Sequence, residues 1–390
     1  MAAAPVASPA DGEGRVVTPA RIGTLDLRNF RNIESATLRI PREGVAVVGD
    51  NGQGKTNLLE AIAYLELLRS MRSARDRDLI RFGAEAFHLG ASAEGTGARR
   101  VSVGVSRAGD KRVTLDGVET VRLGDAVGAV PSVCVSPADA ALVAGGPGER
   151  RRLLDVMLGL TDAAYLHALR HYRAALARRN AALRGSLAAR ATARAWNPAI
   201  AEHGAVIVRA RHEWTGAYAT RFASLAATIG EVEPMALAYA SEFGAHAGTE
   251  GDIEAALEAA REQDELRGMT QHGPHRDDLT ITLDRRALRL SGSAGQHRTA
   301  AIALRLLEAE TFRERKLVQP VLLLDDPFAE LDHNRVARVL GLIADNAVGG
   351  AAQVILCVPR ADEIPAAFTR LERWRVSGGA FFPENGRGRP

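Results

Sequence analysis

Eight consecutive residues have the types and spacing to do chemistry on a phosphate. Gly49, Asp50, Asn51, Gly52, Gln53, Gly54, Lys55 and Thr56 fit G-x-x-x-x-G-K-[ST] in full, with Asn57 next in line. Glycines at this spacing let backbone N–H groups turn inward toward an anion that a Cβ would obstruct. A helix starting near Lys55 adds its positive dipole end. Lys55 is placed to bridge the β- and γ-phosphates of a nucleotide, and Thr56 to give its hydroxyl to Mg2+.

A second group of polar residues lies far along the chain. The apolar run Val321–Leu324 ends in Asp325 and Asp326. At the carboxyl end of a strand, Asp325 can hold Mg2+, and Asp326 can orient or deprotonate an attacking water. Taken alone, an Asp pair before Pro327 also fits a turn. Ser293, Gly295 and Gln296 stand just ahead of a helix, where a hydroxyl, backbone N–H groups and a helix dipole could meet a γ-phosphate.

The elements that must position these residues follow from periodicity. Val45–Val48 reads as a buried parallel strand. Leu58, Leu59, Ile62, Leu65 and Leu68 mark a helix over Asn57–Arg69. Ile22–Leu27 and Ala36–Ile40 alternate as half-buried strands. Val101–Val105 and Arg112–Leu115, with a turn at Asp116-Gly117, predict an antiparallel β-subdomain. After a long helical stretch and an acidic helix around Ile253–Leu266, helices over Arg298–Arg313 and Arg335–Ala344 alternate with strands at Val321–Leu324 and Gln353–Val358. The simplest architecture is an α/β parallel-sheet domain split by a helical insertion.

Composition narrows the class. The chain has 390 residues, 46% hydrophobic and 25% charged, as soluble globular proteins do. No apolar run reaches the roughly 18–20 residues of a membrane span. The first residues are small and polar, which reads as a disordered leader and not a signal peptide. Cys134 and Cys357 sit in apolar runs and read as buried free thiols, so a cytoplasmic location is expected. Charge is uneven. Between Arg150 and Arg221 stand thirteen arginines against four acids, a net +9 in a chain of net +3. Such a segment suits a nucleic-acid backbone, and it also suits a solvated helix face.

The order of phosphate loop, Ser-x-Gly-Gln and paired acids resembles that of ABC-type P-loop ATPase heads. Ser293 follows Thr56 by 237 residues, leaving room for a large insertion. More specifically, the sequence resembles the RecF family of bacterial recombinational repair ATPases. The resemblance is carried by Leu27–Asn32, by GDNGQGKTNLLEAI at 49–62, and by Ser136-Pro137 with Pro147–Asp155. Tyr172–Leu183 and Gly273-Pro-His-Arg-Asp-Asp-Leu279 extend it.

The resemblance implies a fold with a mixed sheet, an antiparallel β-subdomain and a helical second lobe. It covers about residues 22–376, and the expected division is a leader at 1–20, a first ATPase lobe at 21–147 and 271–380, a helical lobe at 148–270 and a tail at 381–390. It implies ATP and Mg2+ as ligands and a weak, DNA-stimulated ATP hydrolysis. A head-to-tail homodimer is expected, in which Ser293, Gly295 and Gln296 complete the partner's site and Asp332 belongs to the D-loop. Double-stranded DNA beside single-strand gaps, and mediators of the RecR and RecO type, are the implied partners, in recombinational repair and the SOS response. Arg150, Arg151, Arg152, Arg173, Arg178 and Arg179 are the candidate phosphate contacts.

Ala294 and His297 depart from the family's usual glutamines, and Cys357-Val-Pro359-Arg360 replaces the switch histidine of transporter heads. Arg360 is the candidate γ-phosphate sensor, and Arg31 and Asn32 are candidates near the nucleotide. His275 with Asp277 and Asp278 could be drawn as a metal site, but Gly273-Pro274 favours a turn into the strand Leu279–Leu283. A transporter subunit, a cohesin-like head and a clamp that binds ATP without hydrolysing it are the rival readings.

Overall fold

Alternating apolar residues force the chain's opening into a pleated pair. A computed structural model describes residues 16–95, 100–244, 248–328, 331–347 and 352–384. In β1 (Arg21–Phe30), Ile22, Leu25, Leu27 and Phe30 are fully buried, and β2 (Ile33–Arg39) pairs with it antiparallel. β3 (Gly44–Val48) is buried on both faces and leads through the glycine loop into α1 (Lys55–Leu67). β4 (Ala86–Glu94), β5 (Arg100–Ser106) and β6 (Lys111–Leu115) extend the first pair into an antiparallel sheet of order β2-β1-β4-β5-β6, closed by the short strand Val118–Glu119.

β7 (Ser132–Val135) leaves that sheet, and a helical region follows. It contains α2 (Pro147–Thr161), α3 (Ala163–Leu183) and the 33-residue α4 (Asn197–Ile229). A strand interrupts the helices here. β8 (Met235–Ala240) pairs antiparallel with β9 (Asp278–Leu283), the strand after Gly273-Pro274. The acidic stretch forms two helices, Glu250–Ala259 and Arg261–Arg267, broken at Ala260.

The chain then returns through α5 (Ala294–Lys316), β10 (Val321–Asp325), α6 (His333–Ala347), β11 (Val354–Val358), β12 (Glu372–Ser377) and β13 (Ala380–Pro383). The central sheet has the order β13-β12-β3-β11-β10-β7, parallel throughout except for β13. β11 lies between the strand that feeds the glycine loop and the strand that ends in the paired acids. Both therefore deliver their residues at the same carboxyl edge, where open α/β sheets bind ligands.

Two hydrophobic cores divide at this sheet. Val45, Val47, Val321, Leu323, Ile355 and Cys357 face α1 and the antiparallel sheet. Ala46, Leu322, Leu324, Val354, Leu356 and Val358 face α5 and the helical region. The two-residue period of a strand makes each central strand contribute to both cores. Neither cysteine is in a disulfide; Cys357 is buried and Cys134 half-buried. Among the described residues, no helix is long and apolar enough to cross a membrane.

Candidate functional site

The glycine loop is held from outside its own motif. The side chain of Asn32 donates to the carbonyl of Gln53 at 3.0 Å, and Asn57 donates to the Asn32 oxygen at 2.8 Å. The β12–β13 turn secures the other side: Gly379 N–H donates to the Gln53 carbonyl at 2.8 Å, and Gly378 N–H to its side-chain oxygen at 2.7 Å. Gly54 is left-handed (φ 123°), and a Cβ there would lie 3.1 Å from Asn32 Oδ1, so only glycine fits both the backbone and the clamp. Lys55 is buried, and its ammonium folds back to donate to the carbonyls of Gly49 and Asp50.

Thr56 and Asp325, residues 269 apart in sequence, meet in a 2.8 Å hydrogen bond from hydroxyl to carboxylate. Burial pushes the Asp325 carboxyl above its ordinary range, and the Thr56 hydroxyl and Lys55 ammonium pull it back. Two hard oxygen donors at one edge form a set that suits Mg2+. Asp326 adopts a left-handed backbone (φ 41°), with its N–H donating to the Cys357 carbonyl at 2.9 Å. Local strain of this kind is retained where neighbouring structure enforces it. That structure is Arg298 of α5, which is buried and donates to the carbonyls of Ser136, Asp326 and Pro327.

Lys55, Thr56, Asp325 and Asp326 line one cavity of about 400 Å3. Asn51, Lys55, Thr56, Asn57, Asp325 and Asp326 were expected there. Arg72, Pro137 and Pro359 also line it and were not. Arg72 comes from the loop after α1, a polar stretch without a motif. Arg360 does not line the cavity: it is exposed and donates to Glu363 at 2.8 Å. Arg31 is tied to the fully buried Glu60, with contacts of 2.9 and 3.1 Å, so it braces α1.

Ser293, Gly295 and Gln296 lie outside this cavity, at the N-terminus of α5. Ser293 and Gln296 form a reciprocal capping box: Ser293 N–H donates to Gln296 Oε1 at 2.9 Å, and Gln296 N–H to Ser293 Oγ at 3.2 Å. His297 donates from Nε2 to the Leu288 carbonyl at 3.0 Å, so this departure from the family pattern closes the turn before the helix. Asp332 caps α6 and accepts the Arg335 N–H at 2.9 Å, which holds its carboxyl below the usual range.

The family model described as "RecF/RecN/SMC N terminal domain" matches residues 21–371. A DNA replication and repair protein RecF of Anaeromyxobacter dehalogenans (strain 2CP-1 / ATCC BAA-258) is 39% identical over 332 residues, spanning 82% of this chain and 88% of that one. A protein of the same name from Moorella thermoacetica (strain ATCC 39073 / JCM 9320) is 35% identical over 91% and 94% of the two chains. The chain belongs to the RecF family. A solved structure of the recombination mediator protein RecF with ATP, in the RecFOR pathway, aligns with a TM-score of 0.84 at 25% identity over 96% of this chain and 100% of that one. An Smc head domain from Pyrococcus furiosus, at TM-score 0.54 and 18% identity over 93% and 96% of the two chains, shares the fold.

Within this RecF-family frame, the arginine-rich segment divides between buried and exposed side chains. Arg150 is 5% exposed; it pairs with Asp278 at 2.8 Å and donates to the carbonyls of Leu142, Val143 and Gly145. Arg179 is 2% exposed and is held by Asp264 at 2.6 Å, Thr270 and Asn197. Arg151 donates to the Asp277 carbonyl, and Arg152 to Ser73 and to the carbonyls of Ser70 and Met71. As placed, these four serve the protein's own joints. Arg173 is half exposed and pairs with Asp155 at 2.6 Å. Arg178 is exposed, with its guanidinium 5.0 Å from the centre of the Trp196 ring.

The Gly273–Leu279 segment is one of those joints. His275 Nε2 donates to the Thr270 carbonyl at 3.1 Å, so Nδ1 accepts from the Tyr172 hydroxyl at 2.6 Å. Burial lowers the His275 pKa to about 4. Asp277 accepts from Tyr239, and the Pro274 carbonyl accepts from the buried Arg211 at 2.8 Å.

Proposed function

We propose that this chain is an ATP-dependent DNA-binding protein of recombinational repair, in which Mg·ATP closes a head-to-tail dimer on DNA and hydrolysis reopens it. One observation carries the reading. The cavity holding Lys55, Thr56, Asp325 and Asp326 contains half of an ABC-type site, while Ser293, Gly295 and Gln296 stand outside it at an exposed helix N-terminus. A nucleotide held by the first set has a face left for the second set of another copy.

In this reading the backbone N–H groups of the glycine loop and the Lys55 ammonium bind the phosphates. The Thr56 hydroxyl and the Asp325 carboxylate would hold Mg2+, which when bound draws off charge developing on the phosphate oxygens. Asp326, turned by its left-handed backbone, accepts the proton of the attacking water or orients it. Ser293 and the start of α5 in the second copy meet the γ-phosphate. The ligand is double-stranded DNA beside a single-strand gap, met through phosphates and without base readout. Mediators of the RecR and RecO type are the proposed partners in loading recombinase there.

Sedimentation of the wild type with and without ATP and gapped DNA tests the dimer and the ligand together. Asp326→Asn is expected to lose turnover by about 10²–10⁴-fold while accumulating an ATP-bound dimer. Normal turnover in that variant removes Asp326 from the reaction. A wild type that dimerises with ATP but never turns it over is a clamp without hydrolysis.

A further inference from the structure

One side chain outside the nucleotide cavity touches both loops that a second copy would meet. Arg335 lies in the first turn of α6, and its side chain is 21% exposed. Its N–H donates to Asp332 Oδ1 at 2.9 Å, and its Nε lies 3.4 Å from the other Asp332 oxygen. Nη1 donates to Thr299 Oγ1 at 3.2 Å; Thr299 is fully buried, one turn into α5. Nη2 lies 2.9 Å from Glu231 Oε1, and the Glu231 side chain is 4% exposed, just beyond the end of α4. A Cβ added to Gly295 would come within 3.2 Å of Nη1, so the guanidinium packs directly beneath the signature turn.

We propose that Arg335 is a positioning residue that fixes the signature turn and Asp332 as one surface for a second copy of this chain, anchored on the end of α4. This rests on the head-to-tail dimer reading. A helix cap needs only the N–H of residue 335, which any residue but proline supplies. The side chain does more, because its planar fork reaches α5, Asp332 and Glu231 at once. An ammonium, as a single point charge, could satisfy the carboxylates but not that geometry. Arg335 is not among the residues lining the cavity around Lys55. Its loss therefore acts on pairing and turnover and leaves the subunit's own grip on nucleotide intact.

The test compares full-length wild type with Arg335→Ala, Arg335→Lys and Thr299→Val. Three quantities are measured: affinity for a fluorescent ADP, ATP-dependent dimerisation by sedimentation, and kcat with KM for ATP. Arg335→Ala is expected to keep ADP affinity within about twofold, and to weaken dimerisation and lower kcat by about tenfold or more, the scale of one or two charge-assisted hydrogen bonds. Arg335→Lys should recover only part of this, and Thr299→Val should lose a few-fold in kcat at unchanged KM.

A lowered melting temperature with wild-type dimerisation and kcat makes Arg335 a structural cap and overturns the proposal. Equal losses in ADP affinity and kcat overturn it too, because the effect then runs through the glycine loop. If the wild type itself shows no ATP-dependent dimer, the head-to-tail reading fails and the proposal with it. Failure of Arg335 alone leaves the wild-type dimer in place.

Discussion

The glycine loop and the arginine-rich lobe both announced themselves in the sequence, by signals that differ in what they specify. In the loop the signal is the spacing of glycines at a strand-to-helix turn, which specifies where backbone N–H groups point. In the lobe the signal was net charge, and charge does not say which way a side chain points. Arg150, Arg179 and Arg211 are 5%, 2% and 2% exposed and bind this chain's own carboxylates and carbonyls. A run of arginines can bind DNA, or it can hold together a lobe whose joints are polar. Here many of them do the second.

That contrast can be broken most severely at Arg179. Arg179→Leu strips the partner from Asp264, which is 0% exposed, and is expected to cost about 3–5 kcal/mol of stability, the usual result of stranding a buried charge. Urea unfolding reads this directly. If the loss falls instead on DNA affinity with stability unchanged, the inward assignment is wrong. Next in size, Lys55→Ala is expected to weaken ATP binding by about 2–3 kcal/mol, roughly the value of a charged hydrogen bond to phosphate, with unfolding nearly unaffected. Isothermal titration would show it, and equal loss of fold and binding would erase the distinction between the two regions.

The smallest effect belongs to Arg178, the exposed arginine stacked on Trp196. Arg178→Gln should leave stability within about 0.5 kcal/mol and lower the slope of log affinity for DNA against log salt by about one. An unchanged slope would remove it from the phosphate-contacting set.

The same contrast explains what was legible. The strands β1, β3, β10 and β11 and the helices α1 and α5 follow from periodic apolar residues, and Lys55, Thr56, Asp325 and Asp326 from a motif and a strand end. Asn32 was legible only as a residue near the nucleotide; that the Gly378–Gly379 turn helps hold the loop was not, because it acts from a distant stretch through two hydrogen bonds to Gln53, and Arg72 belongs to no motif. β12 and β8 escaped notice for another reason. Glu372-Arg-Trp-Arg-Val-Ser377 carries charges on its outer positions, and Met235–Ala240 offers alanine there, so neither looks like a buried strand until a neighbour covers it. The long helical stretch was legible, but the partners of the arginines in α3 came from elsewhere: Asp155 of α2, Asn197 of α4, and Asp264 and Thr270 in and after the acidic helices, which only the tertiary fold brings near.

The length of α4 gives that fold a mechanical property. One end, at Asn197, is gripped by Arg179; just past the other, Glu231 meets Arg335. Thirty-three residues of helix make a rod of roughly 50 Å. Pivoted near Glu231, such a rod tilting by about 5° sweeps its far end through roughly 4 Å. A small rearrangement beside the signature turn would thus be geared up at the tip of the lobe, and strain on the tip would be geared down to the nucleotide.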